Sequence, residues 1–168
     1  TPYREFFRRH SNLDIDRLVC CTTMDELISA MKGNEFYAPL SRIQNRETTL
    51  LFDYGMALDL YYFNMIWHVR KKLFSGNDLR QITTAYGEKF DMLNLQFIYR
   101  SKRYFHMAPA DIYALLIPMN YKLKKEEINA IVEANTYEES RALFRKTYYG
   151  KKYEHLAAHN LEEFYNHM

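Results

Sequence analysis

The strongest constraint on the fold is a long stretch without proline in which apolar residues recur at helical spacing. No proline occurs from Glu47 to Phe74, and apolar side chains return every three or four residues, which is the period of one face of an α-helix. The members of this stripe are Leu51, Tyr54, Leu58, Tyr62, Met65, Val69 and Leu73. The pattern predicts one long amphipathic helix.

A second stripe of the same period follows a short break. The break is Ser75-Gly76-Asn77-Asp78, which interrupts the first helix and supplies residues that cap helix N-termini. The apolar positions after it are Leu79, Ile82, Tyr86, Phe90, Leu93, Phe97 and Tyr104. At a rise of 1.5 Å per residue each helix would be about 40 Å long. The short connector predicts that the two helices run antiparallel as neighbours.

Composition supports the same fold class. Only five Gly and four Pro are present, too few for a fold of many strands and turns. The aromatic fraction of 16% favours an ordered core over a disordered chain. Shorter helices are predicted over residues 23–32, 110–117 and 124–134, and from residue 136 onward, from capping residues, Pro109 and Gly33. The predicted fold class is all-α.

Two segments of the chain are alike, which predicts a repeated module. Residues 23–37 and 136–149 each begin with Thr, carry Glu three positions later and end in an aromatic pair, at offsets of 113 and 112 residues. The predicted domains are residues 1–22 as the remnant of a preceding module, 23–135 as a central module, and 136–168 as the beginning of a further one. Because the first residue is Thr1 and not Met, we expect the chain to be part of a longer subunit.

Several short motifs resemble the C-subunit family of V-type/A-type ATPases, which includes the d subunits of eukaryotic V-ATPases. The resemblance is spread over most of the chain, and the order and spacing of the motifs carry it. The motifs are Leu58-Asp59-Leu60-Tyr61-Tyr62-Phe63, Asp91-Met92-Leu93-Asn94-Leu95 with Arg100-Ser101-Lys102, Leu116-Ile117-Pro118, Ala134-Asn135-Thr136-Tyr137-Glu138-Glu139 and Thr147-Tyr148-Tyr149. One departure follows Pro118, where the family usually has glycines and this chain has Met119-Asn120. Asn120 can still accept the left-handed conformation such a turn needs.

The resemblance implies three similar helical modules arranged as a funnel, of which this chain holds about half. It implies a non-catalytic central-stalk adaptor that couples the rotating shaft of a V-type/A-type ATPase to the membrane proteolipid ring and so supports proton or sodium transport. The implied partners are the central-shaft subunits of the soluble motor and the proteolipid ring. The implied location is cytoplasmic and peripheral to the membrane, with no direct transmembrane span, no cofactor and no nucleic acid.

The family motifs also single out residues for a structural role. They are Asp59, Tyr61, Tyr62, Asp91, Asn94, Arg100, Lys102, Pro118, Glu139, Tyr148 and Tyr149. At 100° per residue, Asp91, Asn94 and Lys102 share one side of the second long helix, whereas Arg100 lies about half a turn away. Polar side chains in a seam between packed helices need hydrogen-bond partners. We therefore expect structural hydrogen bonds between helices at these three positions.

Two alternative functions rest on other features. His155, His159, Glu163 and His167 are spaced by four residues, so they share one helix face and could hold zinc in a helical metalloenzyme. The other face of this helix is defined by Tyr153, Leu156, Asn160 and Phe164, so the same row is also read as the solvated side of an amphipathic helix. The second alternative is a free-standing helical-repeat scaffold for peptides.

Nucleic-acid binding is disfavoured. Residues 100–153 contain eleven Lys or Arg against six Asp or Glu, and the pair Tyr148-Tyr149 near Lys151-Lys152 is a possible stacking platform. Lys and Arg are, however, the ordinary covering of amphipathic helices, and the tyrosine pair matches the end of the predicted module. For Trp67 and His68 we expect packing and a hydrogen bond. No phosphate-binding glycine loop, serine elbow, CxxC or HExxH motif occurs in the sequence.

Overall fold

The computed structural model describes residues 5–6, 12–44 and 50–153, and within these ranges every regular element is helical. The all-α prediction is therefore confirmed. A π-helical turn, Ser101–Phe105, continues the second long helix without a break. The helices are α1 Ile15–Val19, α2 Met24–Ala30, α3 Tyr37–Ser41, α4 Leu51–Leu73, α5 Gly76–Arg100, α6 Pro109–Leu115, α7 Lys125–Glu133, α8 Tyr137–Lys146 and α9 Tyr148–Lys152.

The chain divides into two compact units, Thr1–Phe63 and Asn64–Met168, so the boundary falls within α4. The core of the first unit is small. Its buried side chains are Ile28, Leu40 and Tyr54, with Met24, Met31, Tyr37, Ile43 and Leu58 packed around them. The second unit has the larger core, built from α5 to α9 around Leu95, Ile98, Ile112, Leu123, Ile128, Ile131, Val132, Phe144 and Tyr149.

Both predicted long helices are present. Within the second unit, the last turns of α4 pack along α5. The Arg70 side chain bonds Thr83, and the Trp67 ring lies 5.9 Å from that of Phe90. An earlier residue of α4 thus meets a later residue of α5, which is the expected antiparallel arrangement. Helix α5 begins at Gly76, whose φ of 53° belongs to the left-handed region that glycine enters without steric cost.

The end of the second long helix differs from a simple α-helix. The apolar stripe runs to Tyr104 as predicted, but α-helical hydrogen bonding ends at Arg100 and the π-helical turn follows. His106 closes this turn with a left-handed φ of 48°, and the Met107 N–H donates to the Ser101 carbonyl at 3.1 Å. The wider turn lets Ser101 remain buried while the chain reverses toward α6.

The turn after Pro118 also differs from expectation. The Met119 N–H donates to the Ile117 carbonyl at 2.8 Å, a three-residue turn centred on Pro118. Among the described residues other than glycine, only His106 has a positive φ. The turn therefore does not use a left-handed Asn120, and it needs no glycine at that position.

The two segments predicted to be repeats have the same local geometry at their start. Thr23 has φ and ψ of −126° and 158°, and Thr136 has −124° and 158°. The Thr23 hydroxyl accepts the Glu26 N–H at 3.2 Å, as the Thr136 hydroxyl accepts the Glu139 N–H at 3.1 Å. Each helix is followed by a five-residue helix that begins at a tyrosine, α3 or α9. This likeness supports the repeat, whereas the division into modules stays a prediction.

Two glycines provide a matched test of the packing in these units. A Cβ at Gly150 would overlap the Phe144 carbonyl oxygen and the Arg145 backbone, while one at Gly55 would meet nothing within 4 Å. We expect Gly150→Ala to lower the free energy of unfolding by about 2 kcal/mol or more, because backbone cannot move aside. Gly55→Ala should raise it by about 0.5 kcal/mol through helix propensity. Urea denaturation of both variants measures the difference, and equal effects would contradict this close approach of α8 and α9.

Candidate functional site

Asp91 on α5 is the most connected polar residue of the second unit. Its side chain is fully buried, and its carboxylate accepts four hydrogen bonds. The Tyr121 N–H donates to Oδ1 at 3.0 Å, and the Lys122 and Leu123 N–H groups donate to Oδ2 at 2.6 and 2.9 Å. The Tyr149 hydroxyl donates to Oδ2 at 2.8 Å. These protein donors replace the water that a buried carboxylate loses.

The local sequence explains why three N–H groups converge on one carboxylate. Residues 116–124 lie outside any helix, between α6 and α7, so their backbone groups have no helical partners. Gly87 lies one turn before Asp91 on α5, and a Cβ there would approach the Tyr121 Cγ to 2.5 Å. The missing side chain lets the Tyr121 ring lie against α5. That contact places the N–H groups of residues 121–123 over Asp91.

Asn94 binds the same loop one turn further along α5. It is fully buried, donates from Nδ2 to the Ile117 carbonyl at 2.9 Å and accepts the Ile117 N–H on Oδ1 at 2.7 Å. An amide carries both a donor and an acceptor, so it satisfies both backbone groups of one residue. A carboxylate at this position would repel the Ile117 carbonyl.

Lys102 makes the third contact from this side of the helix. Its Nζ donates to the Ala134 carbonyl at 2.7 Å, just beyond the end of α7, where carbonyls lack helical partners. Burial lowers the pKa of Lys102, and the carboxylates of Glu133 and Glu139 act against that shift. Because the ammonium group is partly desolvated, its bond to a helix-end carbonyl is stronger than the same bond in water.

We refer to Asp91, Asn94 and Lys102 as the anchor residues. They lie on one side of the long helix, as the 100° rotation per residue predicts, while Arg100 is exposed and does not join them. The expected partners were groups of a packed helix, but the observed partners are mainly backbone groups of the loop at residues 117–123 and of Ala134. The backbone N–H and C=O groups of an irregular segment have no helical partners, so buried polar side chains form hydrogen bonds with them.

The tyrosine pair of the last motif lies beside the anchor residues. Tyr149 is fully buried, and burial together with its bond to Asp91 strongly raises the pKa of its hydroxyl. Tyr148 is 40% exposed, and its ring is near Lys122 and Lys152. One tyrosine therefore completes the buried network, while the other covers part of the surface above it.

Glu139 and Pro118, the remaining motif residues of the second unit, have local roles. Glu139 accepts the Asn135 N–H at 2.9 Å at the start of α8. Pro118 forms the turn described above, next to the backbone groups that Asn94 holds. Both positions thus shape the backbone that the anchor residues bind.

The motif residues of the first unit form a separate set. The Tyr61 hydroxyl donates to Glu35 at 3.2 Å, and its ring packs edge-on against Phe36 at 5.9 Å. Asp59 is exposed, and Tyr62 is 49% exposed. Tyr61 therefore ties α4 to the segment before α3, while Asp59 and Tyr62 face solvent within this unit.

Sequence reasoning missed Arg70. It is 8% exposed, and its guanidinium carbon lies 3.4 Å from the centroid of the Trp67 ring. Trp67 is partly buried and packs against Phe90, as expected, and His68 Nδ1 lies 2.8 Å from the Asn64 carbonyl oxygen, the hydrogen bond expected for it. The spacing of three residues from Trp67 was the signal that would have revealed Arg70 as its partner.

The predicted zinc row, His155, His159, Glu163 and His167, lies outside the described residues. Within residues 12–44 and 50–153, no cluster of three or more His, Cys, Asp or Glu side chains is arranged to hold a metal ion. The buried carboxylate of Asp91 accepts hydrogen bonds from four protein donors, which suits a structural role. Helices of the described part are too short or too polar to cross a membrane.

Comparison with known proteins identifies a family. The family model described as ATP synthase (C/AC39) subunit matches residues 2–168, which is nearly the whole chain. No curated protein and no solved structure matches. The family match covers both compact units and every motif position named above.

Substitutions at Asp91 test how much the second unit depends on this carboxylate. We expect Asp91→Ala to cost about 4 kcal/mol of unfolding free energy, because it leaves three buried N–H groups and one hydroxyl unpaired. Asp91→Asn should cost about 2 kcal/mol, and Tyr149→Phe about 1 kcal/mol, since it removes a single bond. Urea unfolding followed by circular dichroism gives these values.

Asp111→Asn is the matched control for these variants, because Asp111 is exposed in the first turn of α6. We expect it to change stability by less than about 0.5 kcal/mol. An Asp91→Asn variant as stable as the Asp111→Asn control would show that the four hydrogen bonds do not hold the unit together.

Proposed function

The chain belongs to the ATP synthase (C/AC39) subunit family, and on this premise we propose that it is a non-catalytic adaptor of a V-type/A-type ATPase. In this role it joins the central-shaft subunits of the soluble motor to the proteolipid ring of the membrane sector. It passes torque between them and so supports proton or sodium transport. It lies on the cytoplasmic side, peripheral to the membrane.

The observation that supports a torque-bearing role is the set of anchor residues. Asp91, Asn94 and Lys102 extend over three turns of one long helix, and each holds a backbone group of a segment distant in sequence. Twisting α5 relative to α7 or α9 requires breaking buried, charge-assisted hydrogen bonds, which are costly to leave unmade. A close-packed core around them resists the same deformation. Stiffness of this kind suits a part that transmits force.

The chemistry of the same residues supports a role without catalysis. All four hydrogen bonds to Asp91 come from the protein, and burial together with the bond to Asp91 moves the pKa of the Tyr149 hydroxyl further above its ordinary value. Neither group is free to exchange a proton with a substrate or to bind a moving ion. In the proposed role, nucleotide hydrolysis and ion transfer take place in other subunits.

The test uses the subunit in membranes that carry its motor. We expect motors stripped of the subunit to hydrolyse ATP without pumping ions, because the shaft then turns without driving the ring. Adding back the wild-type subunit should restore pumping. ATP hydrolysis and ion uptake are measured together on the same vesicles.

The Asp111→Asn subunit serves as the control and should restore pumping fully. The Asp91→Ala subunit should restore less than half as many ions per ATP, at a temperature where circular dichroism shows it folded. Normal pumping by the stripped motors would overturn the proposed function. A subunit that hydrolyses ATP by itself would do so as well.

A further inference from the structure

The turn between α4 and α5 presents an unusual surface in the second unit. Leu73 is 70% exposed and Phe74 is 39% exposed, and the residues from Lys71 to Asp78 are all exposed. We call residues 70–74 the hairpin tip. Two adjacent exposed apolar side chains make this tip a candidate contact surface, which the neighbouring charges can support.

Arg70 stands one turn behind these apolar side chains. It is 8% exposed, its Nε donates to the Thr83 hydroxyl at 3.1 Å, and its guanidinium carbon stacks on Trp67 at 3.4 Å. Within the described residues, no carboxylate pairs with it, and burial alone lowers its pKa. A buried guanidinium is normally balanced by an anion. The missing anion points to a partner.

Arg70 lies close in sequence to the exposed apolar pair Leu73 and Phe74. Leu73, the last residue of α4, and Phe74 follow Arg70 by three and four residues, and the Phe74 N–H donates to the Arg70 carbonyl at 3.0 Å, so all three positions belong to the same helical turn. The cation and the exposed apolar pair are therefore within one helical turn of each other, and apolar contacts that exclude water from a charged pair are common at the centres of protein interfaces. Lys71 and Lys72 are exposed beside it and add positive charge that attracts an acidic partner.

We propose that the hairpin tip docks an acidic segment of another subunit of the same motor. An Asp or Glu of that segment pairs with Arg70, and apolar residues next to it cover Leu73 and Phe74. The inference rests on the proposed function, because the partner belongs to the motor. A side-chain carboxylate fits the recessed guanidinium, which can donate two parallel hydrogen bonds to a planar anion. The flat face of an anionic membrane would reach Lys71 and Lys72 but not Arg70.

Chemical coupling in the assembled motor gives the first test. A carbodiimide joins a lysine amine directly to a carboxylate that lies within ion-pair distance. We expect Lys71 or Lys72 to be joined to an Asp or Glu of another motor subunit, identified by mass spectrometry of the linked peptides. The inference is wrong if other lysines of the subunit are coupled to motor subunits and neither of these two is.

Variants of the full-length subunit give the second test, with affinity for each purified motor subunit as the readout. Leu73→Asp should weaken binding at least tenfold without lowering Tm, because the side chain is exposed and the new charge repels an acidic partner. Arg70→Met should weaken binding at least tenfold, whereas Thr83→Val, which removes only the internal bond to Arg70, should change it less than threefold. Val19→Asp is the matched control, since Val19 is also exposed.

The outcomes separate this inference from the proposed function. If Leu73→Asp binds every motor subunit as the wild type does and restores pumping, the hairpin tip is not the docking surface, while the adaptor role stands. If the wild-type subunit does not join the motor, the adaptor role itself fails. Vesicles of phosphatidylglycerol are the last probe. Loss of vesicle binding by Leu73→Asp, with binding to motor subunits unchanged, would assign the tip to the membrane and overturn the inference.

Discussion

The Asp91 carboxylate has no contact with solvent, and three backbone N–H groups and one hydroxyl stabilise its charge in place of water. Burying a carboxylate costs several kcal/mol unless such donors are already in position. The second unit is arranged to supply them. Gly87 admits the Tyr121 ring against α5, and Gly150 brings α9 against α8 so that Tyr149 reaches Asp91. Both close approaches therefore position hydrogen-bond donors for the Asp91 carboxylate.

This arrangement links local chemistry to the proposed mechanical role. A helix held only by apolar contacts can slide by small steps, because dispersion forces are not directional. Buried hydrogen bonds to fixed backbone groups allow one register only. The hairpin tip differs from the anchor residues in this respect. There Arg70 has no carboxylate partner within the described residues, and the exposed side chains of Leu73 and Phe74 lie one turn away, which fits the proposed docking of another subunit.

Much of the fold was predictable because helical periodicity is a local property. The stripes through α4 and α5, the capping threonines at 23 and 136 and the proline at the start of α6 depend on residues within a few positions of each other. The left-handed His106 and the π-helical turn were not predictable, since tertiary packing imposes them on an otherwise ordinary sequence. The form of the turn after Pro118 was not predictable either: Asn120 could have adopted a left-handed conformation, but the chain uses a three-residue turn centred on Pro118 instead.

For the anchor residues, the sequence predicted which positions share one side of the helix but not which groups they bind. Their common side on α5 follows from a rotation of 100° per residue, which needs no structure. Their partners are mostly backbone groups, which every residue carries, so no side-chain pattern marks Tyr121 to Leu123 as the ligands of Asp91. The burial of Arg70 was not predictable for a related reason: an Arg followed by Lys71 and Lys72 at the end of a helix usually lies in solvent, and only the packing of Trp67 and Thr83 reveals its burial.

Native-state hydrogen exchange tests the central claim most directly. If Asp91 fixes the loop, the amides of Tyr121, Lys122 and Leu123 exchange only when the second unit unfolds, with the same free energy as the buried Ile98 amide of α5. Exposed Asn120, in the same loop, serves as the reference for a position that Asp91 does not hold. Exchange of the three amides as fast as that of Asn120, under conditions where Ile98 stays protected, would contradict the account.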